Sequence, residues 1–257
     1  MSQQQPQAPE REPNMRRHWT RAIVVAFVIT VIGVVFAVFV PGAIMPSAAS
    51  NNMHAVRLTI IVFTIVAAPV AAIVWGLGLY TLFAFRWGGK EPPPDEGPPI
   101  RGNTGGQVAW VAISCALTMF LLIWGLAELQ SVSASASPGA LVVDVTGQQW
   151  VWTYDYPAQH VSSHVLVLPV GRQVIFRVTS ADVVHGFWIS AFGMKVDANP
   201  SVITTAQTTP TKTGTFPVRC AELCGLYHAY MEGEAQVVTP QAFTAWVAHQ
   251  AATNSTG

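Results

Sequence analysis

Apolar residues fall along this chain in two regimes, long unbroken runs before residue 128 and short alternating stretches after residue 141. Residues 22–40 carry no charge over nineteen positions, which as a helix is about 28 Å against a hydrocarbon core of about 30 Å. Two further uncharged runs cover 58–85 and 107–127, the last ended by Glu128. The pattern predicts a first transmembrane helix at 22–40 and a transmembrane helical hairpin over 58–128. Pro69, Gly76 and Gly78 interrupt the second run, but bilayer helices tolerate them because neighbours satisfy the freed backbone groups. From Leu141 the period changes to two, as in Leu141-Val-Val-Asp-Val145, Val165-Leu-Val-Leu168, Val174-Ile-Phe-Arg-Val178 and Ala235-Gln-Val-Val238. With Pro169, Gly171, Pro200, Pro210, Gly214 and Pro217 as punctuation, this predicts an all-β domain at 141–257 behind a Ser/Ala-rich linker at 129–140. Residues 240–250 alone return to helical spacing, with Thr239 as N-cap and Pro240 at the first helical position, a short helix packed on the sheet.

Composition agrees with a membrane-anchored chain: charged residues make up 10% and apolar ones 51%, against roughly 25% charged in ordinary globular domains. Thirteen basic and thirteen acidic residues cancel, leaving no basic field for a nucleic-acid partner. Arg16, Arg17 and Arg21 precede the first apolar run, and Arg86, Lys90 and Arg101 lie between the second and third. By the positive-inside rule both regions are cytoplasmic and everything after Glu128 is outside. Residues 1–21 then form a cytoplasmic tail, disordered over the Gln- and Pro-rich stretch 1–14. The Pro-rich segment 91–99 reads as a stiff cytoplasmic connector. Ser47-Ala48-Ala49 also fits a signal-peptide cleavage site, so residues 22–40 read either as a retained helix or as a cleaved segment.

The chemistry concentrates in Cys220-Ala-Glu-Leu-Cys224-Gly-Leu-Tyr-His228-Ala-Tyr-Met231. Thiolate and thioether are soft ligands and, with imidazole, suit copper rather than magnesium or calcium. Two cysteines at this spacing can turn both sulfurs to one point and bridge a pair of metal ions, with His228 and Met231 as terminal ligands. A second imidazole is then required, and His185, at the end of a β-patterned run, is the candidate. His18, His54, His160, His164 and His249 read as surface residues. A structural zinc held by the cysteines with His185 and His228, or a disulfide, remain as alternatives, although zinc leaves Met231 unexplained. A blue single-copper site has one Cys, so the second thiol argues against it. Cys115 reads as a small apolar residue in a bilayer segment.

These residues, with the aromatic run Gln149-Trp-Val-Trp-Thr-Tyr-Asp-Tyr156, resemble subunit II of cytochrome c oxidase over about residues 56–250. The resemblance implies a cupredoxin-like β-sandwich of Greek-key type and a dinuclear Cu(A) centre held by His185, Cys220, Glu222, Cys224, His228 and Met231. Glu222 is implied to offer its backbone carbonyl to copper and its side chain to a magnesium shared with subunit I. The function implied is electron entry: electrons from cytochrome c or a small copper protein pass to haem-bearing subunit I, where oxygen is reduced and protons are translocated. The setting implied is a bacterial plasma membrane, with the copper domain on the outer face. Two transmembrane helices are usual in the family, so the first segment is extra.

The resemblance makes Trp150 the electron-entry residue, whereas Trp152, two positions along the strand and on the same face, reads as packing. Asp155 and Asp182 are candidate acids for docking a basic donor, since seven acidic and five basic residues follow Glu128. Gly105-Gly-Gln107 stands where many relatives carry a Glu for proton entry, so no proton role is assigned there. No Cys-x-x-Cys-His occurs, so a fused haem c domain is not expected. A membrane-anchored protein that stores or delivers copper is the rival reading from another functional class, and a quinol oxidase subunit would lack these ligands.

Overall fold

The computed structural model describes residues 15–84, 86, 102–133 and 137–254. The tail at 1–14, the connector at 91–99 and part of the linker lie outside the described residues. The chain divides into two compact units, Met1–Val40 with Ile61–Ser114 and Pro41–Ile60 with Cys115–Gly257.

Three helices, α1 (Met15–Ile44), α2 (Asn51–Ala84) and α3 (Thr104–Val132), are long and apolar enough to cross a membrane. Each exceeds the uncharged run that predicts it, because polar residues at the ends still fit a helix. Ser50 caps α2, its Oγ accepting the Met53 amide at 3.2 Å, so the helix starts before Arg57 rather than after it. Asn103 does the same for α3 through the Gly106 amide at 3.0 Å. Pro41 and Pro69 sit inside α1 and α2 without ending them. Within the first unit, α1 meets α2 on small residues: a Cβ at Gly33 would lie 2.9 Å from the Ala68 Cβ, and one at Gly76 3.2 Å from the Ala26 Cα. Close backbone approach of this kind is how helices associate in lipid. His18 Nδ1 adds a 2.8 Å hydrogen bond to Tyr80 Oη.

Among its described residues the second unit holds ten strands: β1 (Leu141–Gln148), β2 (Val151–Tyr156), β3 (Val161–Ser163), β4 (Leu166–Pro169), β5 (Val174–Ser180), β6 (His185–Ile189), β7 (Met194–Ala198), β8 (Thr204–Thr208), β9 (Gly214–Cys220) and β10 (Glu232–Val238). They form two five-stranded sheets in the orders β3-β2-β1-β5-β8 and β4-β10-β9-β6-β7. Both sheets are mixed: β1 pairs with β5, and β4 with β10, in parallel. The chain changes sheet at the β3–β4, β4–β5, β5–β6, β7–β8 and β8–β9 connections, which gives the expected sandwich rather than two separate meanders. Of the four alternating stretches named from the sequence, those at 141–145, 174–178 and 235–238 lie wholly in strands, and the one at 165–168 enters β4 only from Leu166.

Alternation sends Val143 and Val145 of β1, Tyr154 of β2, Phe176 of β5, Phe187 of β6 and Val218 of β9 into one shared core. Phe187 is its hub, with the rings of Trp152, Phe176 and Tyr154 at 5.3, 5.5 and 6.3 Å. The closing helix α4 (Pro240–Asn254) covers one end, Trp246 meeting Tyr156 at 5.1 Å, and Thr239 Oγ1 accepts the Ala242 amide as the N-cap reading requires.

The segment between α1 and α2 belongs to this same unit. Ala49 and Ser50 are fully buried. Ala49 donates to the Ala191 carbonyl at 3.0 Å and accepts from the Thr211 amide at 2.8 Å. Ser50 Oγ donates to the Phe192 carbonyl at 2.8 Å, and Asn52 Nδ2 to the Gln207 carbonyl at the same distance. The sandwich is therefore completed by residues that precede its first strand by about ninety positions in the chain.

Candidate metal centre

Two neighbouring strands bring the candidate ligands together. β6 begins at His185 and β9 ends at Cys220, and their ladder pairs Phe187 with Cys220. The β9–β10 hairpin closes the loop 221–231, the Cys220 amide donating to the Met231 carbonyl at 3.1 Å. Gly186 lets that loop lie directly on β6: a Cβ there would come within 3.0 Å of the Ala221 and Glu222 backbone. Inside the loop, Gly225 takes φ +115°, a conformation that favours glycine, and the chain then turns so that His228 and Met231 face back toward the cysteines.

The resulting cluster is compact. Cys220 Sγ and Cys224 Sγ are 3.7 Å apart. His185 Nδ1 lies 3.8 Å from Cys220 Sγ, His228 Nδ1 3.5 Å from Cys224 Sγ, and Met231 Sδ 3.9 Å from Cys224 Sγ. The Glu222 carbonyl oxygen is 3.2 Å from Cys220 Sγ. The ligand atoms of His185, Cys220 and Cys224 all lie within 4.8 Å of one another, which suits a shared metal. A disulfide needs sulfurs about 2.05 Å apart, and both thiols are free here. Burial, followed by the adjacent Cys220 thiol, pushes the Cys224 thiol up to about 11. Two thiolates side by side in this setting call for a cation between them.

Asp182 orients one imidazole. The His185 Nε2 donates to Asp182 Oδ1 at 2.9 Å, which leaves the Nδ1 lone pair free to bind a metal. Burial opposes ionisation of Asp182, but hydrogen bonds from the Gln149 amide, His185 and the Val183 amide outweigh it and bring the carboxyl down to about 2. Gly147 leaves room for the ring, since a Cβ there would sit 3.0 Å from His185 Cδ2 and from Trp152 Cζ3.

The two tryptophans part company. Trp152 is buried on β2, 5.9 Å from the His185 ring. Trp150 lies in the turn between β1 and β2, off the strand face it is expected to share, and meets Tyr227 edge-on at 4.7 Å. Leu223, Leu226, Tyr227 and Tyr230 are exposed on the metal loop. Glu222 Oε1 pairs with Lys195 Nζ at 2.7 Å. Asp155 lies on β2 opposite Asp144, five residues beyond Trp150 and away from the ligands. Sequence reasoning missed Gly147, Gly186 and Gln149, whose importance comes from contacts between elements. It also read Asp182 as a docking acid, though the Asp-x-x-His spacing to His185 is a local signal for a carboxylate–imidazole pair.

Residues 158–238 match the family model described as cytochrome c oxidase subunit II, periplasmic domain. Cytochrome c oxidase subunit 2 of Thermostichus vulcanus is 37% identical over 184 residues, which is 68% of this chain and 56% of that protein. The chain thus aligns with little more than half of that relative's length. The Synechocystis sp. protein of the same name is 27% identical over 254 residues, 81% of this chain and 76% of its own. Among solved structures, the periplasmic domain of cytochrome oxidase subunit II from Bradyrhizobium japonicum is 32% identical and covers 46% of this chain and 99% of itself, with a TM-score of 0.44. With the matched domain spanning β3 to β10 and the Cys220-to-Met231 loop inside it, the chain belongs to the cytochrome c oxidase subunit II family.

Proposed function

We propose that this chain is the electron-entry subunit of a haem-copper cytochrome c oxidase, taking electrons from reduced cytochrome c or a small copper protein and handing them to haem-bearing subunit I. Oxygen reduction and proton translocation belong to that partner. The observation that carries the reading is the 3.7 Å separation of two free, buried cysteine sulfurs, each with an imidazole nitrogen within 3.8 Å. His185, Cys220, Cys224, His228, Met231 and the Glu222 carbonyl would hold a dinuclear Cu(A) centre, which when bound supplies one-electron redox chemistry. Ligands fixed at strand ends and by Asp182 move little between redox states, and that keeps reorganisation small.

Trp150 and the exposed apolar side chains of the metal loop form the donor-facing surface, since exposed aromatics and apolar patches mark interaction sites. Asp182 adds negative field there, although its carboxylate is also engaged with His185, whereas Asp155, farther along β2 opposite Asp144, would act on a basic donor only at longer range. Magnesium fits only in part. Glu222 offers one carboxylate, already paired with Lys195, where magnesium prefers near-octahedral oxygen ligation. Subunit I and water would have to supply the rest, so no step is derived through it.

The first helix is retained rather than cleaved. The Gly33–Ala68 and Gly76–Ala26 approaches and the His18–Tyr80 bond tie α1 to α2 along the first unit. The segment after α1 is hydrogen-bonded into the sandwich, which fits an α1 that runs from the cytoplasm to the outer face of a bacterial plasma membrane. Among the described residues no α3 side chain is fully buried, leaving apolar surface for lipid and other oxidase subunits.

The test is rapid mixing of the copper-loaded chain with reduced cytochrome c. Trp150→Ala should slow electron entry at least about tenfold, roughly 1.4 kcal/mol in the barrier, with the copper spectrum unchanged. A wild-type chain that binds copper, purifies without a haem-bearing partner and accepts no electrons would support the copper-delivery reading instead.

A further inference from the structure

We propose that Gln149 is a positioning residue of the metal centre, fastening its two ends through one side chain and one backbone amide. The inference rests on the copper-binding reading above. The Gln149 N–H donates to Asp182 Oδ2 at 2.7 Å, and the other oxygen of that carboxylate receives His185 Nε2 at 2.9 Å. The Gln149 side chain turns the opposite way, and its Nε2 donates to the Cys224 carbonyl at 2.8 Å. One residue in the β1–β2 turn therefore reaches His185, on β6, through a carboxylate, and reaches the residue that carries a bridging thiol directly.

The fit at the loop is close. A Cβ at Gly225 would stand 3.0 Å from Gln149 Nε2, so the amide lies against the backbone immediately after Cys224. Side-chain length matters: Asn is one methylene shorter and cannot span the same gap, and Glu has the same length but no proton to give the carbonyl. Among the described residues, the Gln149 amide is the side-chain donor to the Cys224 carbonyl. Without it, the Cys224 backbone would lose its side-chain tether to the β1–β2 turn. Outer partners of this kind set metal affinity and spectroscopy by fixing the ligands they touch.

The experiment compares the full copper-loaded chain with Gln149→Glu, Gln149→Ala and Gln149→Asn, all of which keep the backbone N–H to Asp182. Copper release to a strong chelator and the electron paramagnetic resonance spectrum are measured for each. Release should become about tenfold faster in the Glu and Ala variants, with an altered copper hyperfine pattern, while thermal unfolding of the copper-free chain stays close to wild type. Asn at 149 gives a folded comparison should the Glu variant not fold, and it too should release copper faster. Wild-type release rates and an unchanged spectrum in the Ala and Asn variants would overturn the proposal. A wild-type chain that holds no copper pair would instead overturn the reading on which it rests, and the two failures are separate.

Discussion

His185 is held between two partners, Asp182 at 2.9 Å from its Nε2 and Cys220 Sγ at 3.8 Å from its Nδ1. One side of the ring fixes the tautomer and the other is left to bind metal. Asp182→Ala should lower copper affinity about 10- to 100-fold, the usual cost of losing an outer partner of a ligating imidazole, and Asp182→Asn should lower it less. Competition with a chelator of known affinity measures both.

Gly186 and Gly147 separate backbone from side-chain crowding. At Gly186 the obstruction is the Ala221 and Glu222 backbone, which cannot rotate away, so Gly186→Ala should cost about 1–3 kcal/mol and push the metal loop off β6. At Gly147 the neighbours are the rings of His185 and Trp152, so Gly147→Ala should displace the imidazole and weaken copper binding with a smaller loss of fold stability. Copper content against melting temperature distinguishes the two.

Tyr156 Oη accepts the Val167 amide at 2.8 Å and donates to the Val167 carbonyl at 2.9 Å, while Tyr154 Oη has no partner among the described residues. Tyr156→Phe leaves the Val167 N–H and C=O without this partner and should cost about 1–3 kcal/mol. Tyr154→Phe should be neutral or slightly stabilising. Chemical denaturation of the purified chain reads out each.

Burial raises both phenols well above the ordinary value of 10.0. A folded pKa above the unfolded one means the stability these groups contribute is intact below pH 10 and is lost as pH rises beyond it, because only the unfolded chain ionises there. The melting temperature should therefore fall with increasing pH above 10, and less steeply in Tyr154→Phe. Equal slopes in the two proteins would contradict this.

Ser50 caps α2 and donates to the Phe192 carbonyl. Ser50→Ala should cost about 1–2 kcal/mol, an effect on the sandwich from a residue outside its strands, measurable by unfolding of the full chain.

Much of this was legible in the sequence because it is periodic or chemically rare. Uncharged runs gave the three helices, alternation gave the strands, and two thiols, an imidazole and a thioether within twelve residues marked the site. Ser50 as part of the sandwich was not legible, since its partners Phe192 and Pro210 lie some 140 or more positions away. The departure of Trp150 from the β2 face was hidden for a related reason: the alternation that predicts a strand continues through the turn, and only the pairing of Gln148 with Val151 ends it. Gln149 acts through hydrogen bonds to Cys224 and Asp182, contacts that carry no local pattern.

The most direct test of the central claim is metal analysis of the copper-loaded chain together with its electron paramagnetic resonance spectrum. The account predicts two coppers per chain and one unpaired electron shared between two equivalent copper nuclei, lost when Cys220 or Cys224 becomes Ser. One copper per chain with the signal of a single nucleus, or a spectroscopically silent zinc in the same ligands, would contradict it.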